Sequence, residues 1–135
     1  MEQQAAVLAA ARAARARAYA PYSGFAVGAA LLLRSGAIIT GANVENASYG
    51  LTLCAERVAL ARMLQEGYGP DDVVAVAVAT EAATPTAPCG ACRQWLLELA
   101  PNAAVICGGG PAAGPPLVTS VAALLPHAFG PRDLA

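Results

Sequence analysis

Residues 4–18 are mostly Ala, Leu and Arg with no Pro or Gly, a run of strong helix formers that predicts a first helix. Ala20-Pro21-Tyr22-Ser23-Gly24 ends it and turns the chain. Residues 25–33 form an apolar, strand-like run. Arg34-Ser35-Gly36 reads as a hairpin turn and residues 37–40 as the return strand. Residues 41–50 are polar and predict a loop. Over residues 54–66, Val58, Leu60, Ala61 and Leu64 recur at helical spacing, and Gly67 is a stop signal. Residues 73–80 are a continuous Val-rich run, the pattern of a strand covered on both faces. Residues 81–88 carry two prolines and predict a loop. Residues 90–99 are helical, closed by Ala100-Pro101-Asn102. Residues 104–107 make a short strand, residues 108–116 a Gly/Pro-rich loop and residues 117–119 a last strand, with Ser120 capping a short helix through Leu124.

Strands that alternate with helices predict an α/β layered fold. No internal repeat and no linker divides the chain, so residues 1–135 read as one domain. The helices that begin near Cys54 and Cys89 each follow a strand. Ligands in open α/β sheets bind beyond the carboxyl ends of strands, which puts both cysteine clusters where a site is expected.

Composition narrows the partners. The chain is 57% hydrophobic, much of it Ala, and only 13% charged. A modest core and few surface charges both point to surface hidden between subunits. The net charge is −1, every cationic side chain is Arg, and no basic run is present to track a phosphate backbone, which argues against a nucleic-acid partner. No apolar stretch reaches the roughly 18 residues a membrane span needs. Arg12, Arg15 and Arg17 follow the apolar residues and Glu2 precedes them, the reverse of a secretory signal, so the expectation is a cytoplasmic protein. In that setting Cys54, Cys89, Cys92 and Cys107 read as metal ligands or catalytic groups before disulfides.

Two segments carry the chemistry: Cys54-Ala55-Glu56-Arg57 and Pro88-Cys89-Gly90-Ala91-Cys92-Arg93-Gln94. Cys89-x-x-Cys92 alone fits half of a structural zinc site, a redox pair, or a helix start with two unrelated cysteines. The Cys-x-Glu pair ahead of it shifts the balance. A catalytic zinc keeps three protein ligands and one open position, and Cys54, Cys89 and Cys92 supply three thiolates. Glu56 can face the open position as general acid–base without being a ligand. Three cysteines with a non-ligand glutamate is the signature of zinc deaminases. Three thiolates leave the bare zinc site one negative charge, which opposes ionisation of a bound water. Two helix N-termini and Arg57, beside the ligands, offset it. The rival is a closed structural site with Cys107 as fourth ligand. It leaves Glu56 and Arg57 without a purpose, and Cys107 reads better as a buried strand residue.

On these residues the chain resembles the small homotetrameric zinc-dependent cytidine deaminases. The resemblance runs from Tyr19-Ala-Pro-Tyr-Ser-Gly-Phe25 through Gly41-Ala-Asn-Val-Glu-Asn-Ala-Ser-Tyr-Gly-Leu-Thr-Leu-Cys-Ala-Glu-Arg57 and Pro88-Cys-Gly-Ala-Cys-Arg-Gln94 to Leu124-Leu-Pro-His-Ala-Phe129. It implies a three-layer α/β/α sandwich with a mixed five-stranded sheet, one zinc ion per chain, and hydrolytic deamination of free cytidine and deoxycytidine in pyrimidine salvage. It implies that Asn43 and Glu45 hydrogen-bond the ribose, that Phe25 stacks on the base, and that the backbone at Ala55 and Cys89 meets the pyrimidine edge. It also implies that Ala47 and Tyr49 of one neighbour and Phe129 of another complete each site of a homotetramer. Read without the family, Phe25 is equally a core residue, Asn43 and Asn46 are turn residues and Glu45 is a solvated charge. Where the family often has serine before Pro-Cys-Gly, this chain has Ala87, and the lost hydroxyl is expected to loosen the loop before Cys89.

Two alternatives share the motif: a deaminase of a cytosine-containing antibiotic of the blasticidin type, and a non-catalytic zinc-binding protein on the same fold. Polynucleotide deaminases typically have His at the position of Cys54, and need cations that this chain lacks.

Overall fold

The structure, a computed structural model, describes residues 2–134; Met1 and Ala135, the ends of the expected domain, lie outside the described residues. The first helix, α1 (Glu2–Ala14), tightens into a 3-10 turn (Arg15–Arg17), a common way for a helix to end, so it stops short of the predicted residue 18. The hairpin follows as β1 (Gly28–Leu33) and β2 (Ile38–Ala42), joined through Gly36, whose φ of 93° suits glycine. Then come a 3-10 turn (Tyr49–Leu51), α2 (Ala55–Gln65), β3 (Val73–Ala79), α3 (Gly90–Leu99), β4 (Ala104–Gly108), β5 (Leu117–Ser120), α4 (Val121–Leu124) and a closing 3-10 turn (Pro131–Leu134).

The strands form one sheet in the order β2-β1-β3-β4-β5. β1 runs antiparallel to β2 and β3, β3 is parallel to β4, and β5 is antiparallel to β4. The parallel pair needs a crossover, and α3 supplies it. β2, β3 and β4 therefore all point the same way, and their carboxyl ends share one edge of the sheet.

The hairpin differs from its predicted bounds at both ends. β1 begins at Gly28 rather than residue 25, because the Asn43 side chain replaces a strand partner for the residues before it. Asn43 Oδ1 accepts from Val27 N at 2.9 Å and Nδ2 donates to the Phe25 carbonyl at 2.9 Å. β2 continues to Ala42, since Gly28 and Ala29 pair with Ala42 and Gly41; the predicted loop thus starts at Asn43.

Both faces of the sheet are covered. On one, Val7, Leu8 and Ala11 of α1 pack against Ala30, Leu32, Ala75, Ala77 and Ile106. On the other, Ala55, Ala59, Leu60 and Met63 of α2 and Leu96 of α3 pack against Leu31, Val76 and Val105. This is the expected three-layer arrangement. β3 is buried along almost its whole length, as its unbroken Val pattern implied. The helices lie close because glycine faces them. A Cβ at Gly28 would stand 1.9 Å from the Ala11 carbonyl oxygen, and one at Gly41 would stand 2.5 Å from Ala59 N. No helix among the described residues is long and apolar enough to cross a membrane.

Candidate metal centre and active site

Cys54 and Cys89 are the N-cap residues of α2 and α3, with φ,ψ of −71°,154° and −68°,169°. That extended geometry is the usual one for an N-cap, but neither side chain caps its helix; both sulfurs are free for another partner. α2 follows β2 and α3 follows β3, so the shared strand direction delivers both caps to the same edge. Cys92, in the first turn of α3, is fully buried. The three sulfurs lie within 4.8 Å of one another, with Cys54 Sγ and Cys89 Sγ 3.7 Å apart. Zinc–sulfur bonds of about 2.3 Å in tetrahedral geometry require an edge of about 3.8 Å, so this donor set fits zinc. Cys107 is not part of the cluster. It is buried in β4 between Val78 and Leu117, and burial pushes its thiol up to about 11. Among the described residues no fourth His, Cys, Asp or Glu joins the three sulfurs, so the closed four-cysteine site does not form and a bound ion would keep one position for a non-protein ligand.

Arg57 donates from Nη2 to the Thr52 carbonyl at 3.2 Å and to Cys54 Sγ at 3.5 Å. Its Nε is buried without a partner. The Cys54 thiol is lowered to about 5, first by a hydrogen bond from Cys92 and then by Arg57, against the opposing effect of burial. Cys92 is raised by that same bond and by burial. The two thiols are perturbed as a pair, one toward the thiolate and the other toward the neutral thiol. Glu56 is 3% exposed, and burial lifts its carboxyl above the ordinary carboxylate range. A carboxyl with a raised pKa beside an open metal position is equipped to take a proton and return it.

A cavity of about 200 Å³ opens at this point, with Asn43, Cys54, Ala55, Glu56 and Cys89 in its wall. A neighbouring recess of about 410 Å³ holds Glu45 and Tyr49, and Thr52 borders both. Glu45 is not a loose solvated charge. It accepts from Tyr22 N at 3.0 Å, from Ser23 N at 3.1 Å and from the Ser23 hydroxyl, and the last bond lowers its pKa most. Asn43 is bound to the segment at Phe25 and Val27, whereas Asn46 does close a local turn, accepting from Ser48 N at 2.9 Å. Phe25 is 43% exposed and so is not core, and Phe25, Ala47 and Phe129 line neither cavity within one chain. Residues not singled out from the sequence also line the wall, among them Val27, Thr52, Val78, Thr80 and Thr86. The one signal for Thr80 was its place at the end of a buried strand.

The family model for the cytidine and deoxycytidylate deaminase zinc-binding region matches residues 1–108. A cytidine deaminase of Halalkalibacterium halodurans is 50% identical over 121 residues, which span 90% of this chain and 89% of that protein. The crystal structure of a cytidine deaminase from Burkholderia pseudomallei matches with a TM-score of 0.89 at 52% identity, over 93% of this chain and 98% of that one. That of cytidine deaminase from Mycobacterium tuberculosis matches with a TM-score of 0.78 at 41% identity, over 93% and 96% of the two chains.

Proposed function

The chain belongs to the cytidine and deoxycytidylate deaminase family, and from that premise we propose that it hydrolyses free cytidine and deoxycytidine to uridine and deoxyuridine with release of ammonia, as one deaminase domain acting in pyrimidine salvage in the cytoplasm. The observation that carries this reading is Glu56: a buried carboxyl with a raised pKa, two residues from Cys54, in the wall of a cavity that it shares with Cys54 and Cys89.

Cys54, Cys89 and Cys92 would hold the zinc, which when bound would supply the Lewis acidity that makes water nucleophilic near neutral pH. Glu56 takes a proton from the water that attacks C4 and delivers it to N3. The remaining proton of that water passes through the same carboxylate to the 4-amino group as the C4–N bond breaks. Ammonia leaves, and the oxygen stays on C4 as the uracil carbonyl. Arg57 offsets the excess negative charge of three thiolates.

Asn43 and Glu45 bind the ribose. Each arrives pre-oriented: Asn43 has one hydrogen bond on each side of its amide, and Glu45 has three donors on its carboxylate, with acceptor capacity left over. Phe25 stacks on the base, and the backbone at Ala55 and Cys89 reads its edge. The site is completed in a homotetramer. Tyr49 is 76% exposed and Phe129 60% exposed, and with Ala47 they are free to cover a neighbour's substrate.

Ultraviolet absorbance tests the assignment. Zinc-loaded protein consumes cytidine and leaves adenosine untouched, and chelator-stripped protein consumes neither. Glu56→Gln retains zinc and nucleoside binding and loses turnover. Protein that holds one zinc per chain yet leaves cytidine and deoxycytidine unchanged would overturn the reading.

A further inference from the structure

Asn43, Glu56 and Thr80 are the buried polar or charged side chains among the described residues. The first two belong to the chemistry above; Thr80, 2% exposed, does not. It follows the last residue of β3, and its hydroxyl lies 2.9 Å from that of Thr86. Thr80 Oγ1 accepts from Ala82 N at 3.1 Å, and Thr86 Oγ1 donates to the Thr84 carbonyl at 3.4 Å. With Thr80 donating to Thr86, the four groups form one chain in which each hydroxyl gives and takes one hydrogen bond.

This chain of bonds spans a segment with little else to fix its path. Residues 83–88 make no backbone-to-backbone hydrogen bond among the described residues; Ala82 is held by Gly110 N on one side and Pro88 by Arg93 Nε at 2.7 Å on the other. Cys89 comes three residues after Thr86. Both threonines lie in the cavity wall with Cys54, Glu56 and Cys89. Ala87, at the position where a missing hydroxyl was expected to loosen the loop, is next to a residue that supplies one.

We propose that Thr80 and Thr86 form a latch that positions the loop before Cys89, and so places the Cys89 sulfur and the Ala87 backbone against Cys54 and Glu56. Both are positioning residues. They act through the ligand that the loop carries. The inference rests on zinc as the occupant of the three-cysteine site.

Replacing Thr by Val removes the hydroxyl and keeps the shape. Zinc-loaded Thr80→Val, Thr86→Val and the double variant are compared with wild type by the rate at which a chromogenic chelator extracts zinc, and by kcat with cytidine. Each single variant is expected to bind one zinc per chain, to release it about tenfold faster and to lose about tenfold in kcat, the scale typical when a residue that orients a metal ligand is lost. The double variant is expected to be no worse than either single one, and Thr86→Ser to match wild type. Extraction from Thr86→Val at the wild-type rate, or single effects that multiply in the double variant, overturns the latch. If Thr80→Val does not fold, Thr86→Val against Thr86→Ser decides alone. Zinc extraction needs no substrate, so a wild-type protein inert toward cytidine would sink the proposed activity and leave this test standing.

Discussion

Arg57 lies in the first turn of α2 and donates to the sulfur of Cys54, so its charge is felt by the whole metal centre. Three thiolates on a divalent ion make an anionic site, which raises the cost of ionising water there. A cation in contact with one thiolate lowers that cost, and each 1.4 kcal/mol corresponds to about a factor of ten in rate. Arg57→Ala is therefore expected to keep one zinc per chain, measured by metal analysis, and to lose about tenfold or more in kcat. If the rate is unchanged, Arg57 is only a strut between Cys54 and the Thr52 carbonyl. Residues of this kind were legible in the sequence because metal chemistry restricts them to a few types at fixed spacings. The donors that anchor Glu45 were not legible. Ser23 lies 22 residues away, and nothing in the spacing reveals that the two meet. The Thr80–Thr86 pair was hidden for a related reason: it depends on the path of a loop with almost no backbone bonds of its own.

The elements were read well where the apolar pattern was clear, as in the unbroken run of β3, and less well where a side chain replaced a backbone partner, as Asn43 does before β1. The glycines in the hairpin have a purpose that periodicity does not disclose. Gly28 and Gly41 let the backbones of α1 and α2 rest directly on opposite faces of the sheet. A methyl group at position 28 meets a helix carbonyl at 1.9 Å, and neither partner is a flexible side chain that can move aside. Gly28→Ala should therefore cost about 3 kcal/mol, the upper end for overpacking, and lower the midpoint of thermal unfolding by about 10 °C. Gly69→Ala is the control. Its added Cβ finds only the Asp72 carboxylate, at 4.0 Å, and φ is −133°, so calorimetry should show a shift of no more than about 2 °C. Equal midpoints for the two variants would mean that α1 slides on the sheet without cost and that the close approach at Gly28 is incidental.

At the scale of the whole molecule, one chain holds the metal ligands and Glu56 but leaves large, mostly apolar side chains in water. Tyr49, Leu51 and Phe129 are all at least 60% exposed, on a protein with few charges to keep such a surface soluble. The tail that carries Phe129 is nonetheless held in place: Gln94 Nε2 donates to the Phe129 carbonyl at 2.8 Å, and Arg93 Nη1 donates to that of Leu124 at 3.1 Å. Both donors directly follow the ligand Cys92 in α3. A tail fixed to the metal-bearing helix and presenting an exposed aromatic ring is suited to reach a second copy of the chain. Sites shared between subunits, as proposed above, would make a sharp demand on mixed assemblies. Glu56→Gln and Phe129→Ala proteins should each be inactive, the first for want of a proton carrier and the second for want of the ring that closes a neighbour's site. Unfolded together in equal amounts and reassembled with zinc, they should regain about a quarter of wild-type activity. In that fraction of sites, Glu56 comes from one variant and the neighbour's Phe129 from the other, as random mixing within a closed symmetric oligomer requires. Recovery read by cytidine absorbance would place Phe129 in trans. A mixture as dead as its components would mean that each chain closes its own site, and the exposed aromatic surface would then need another explanation.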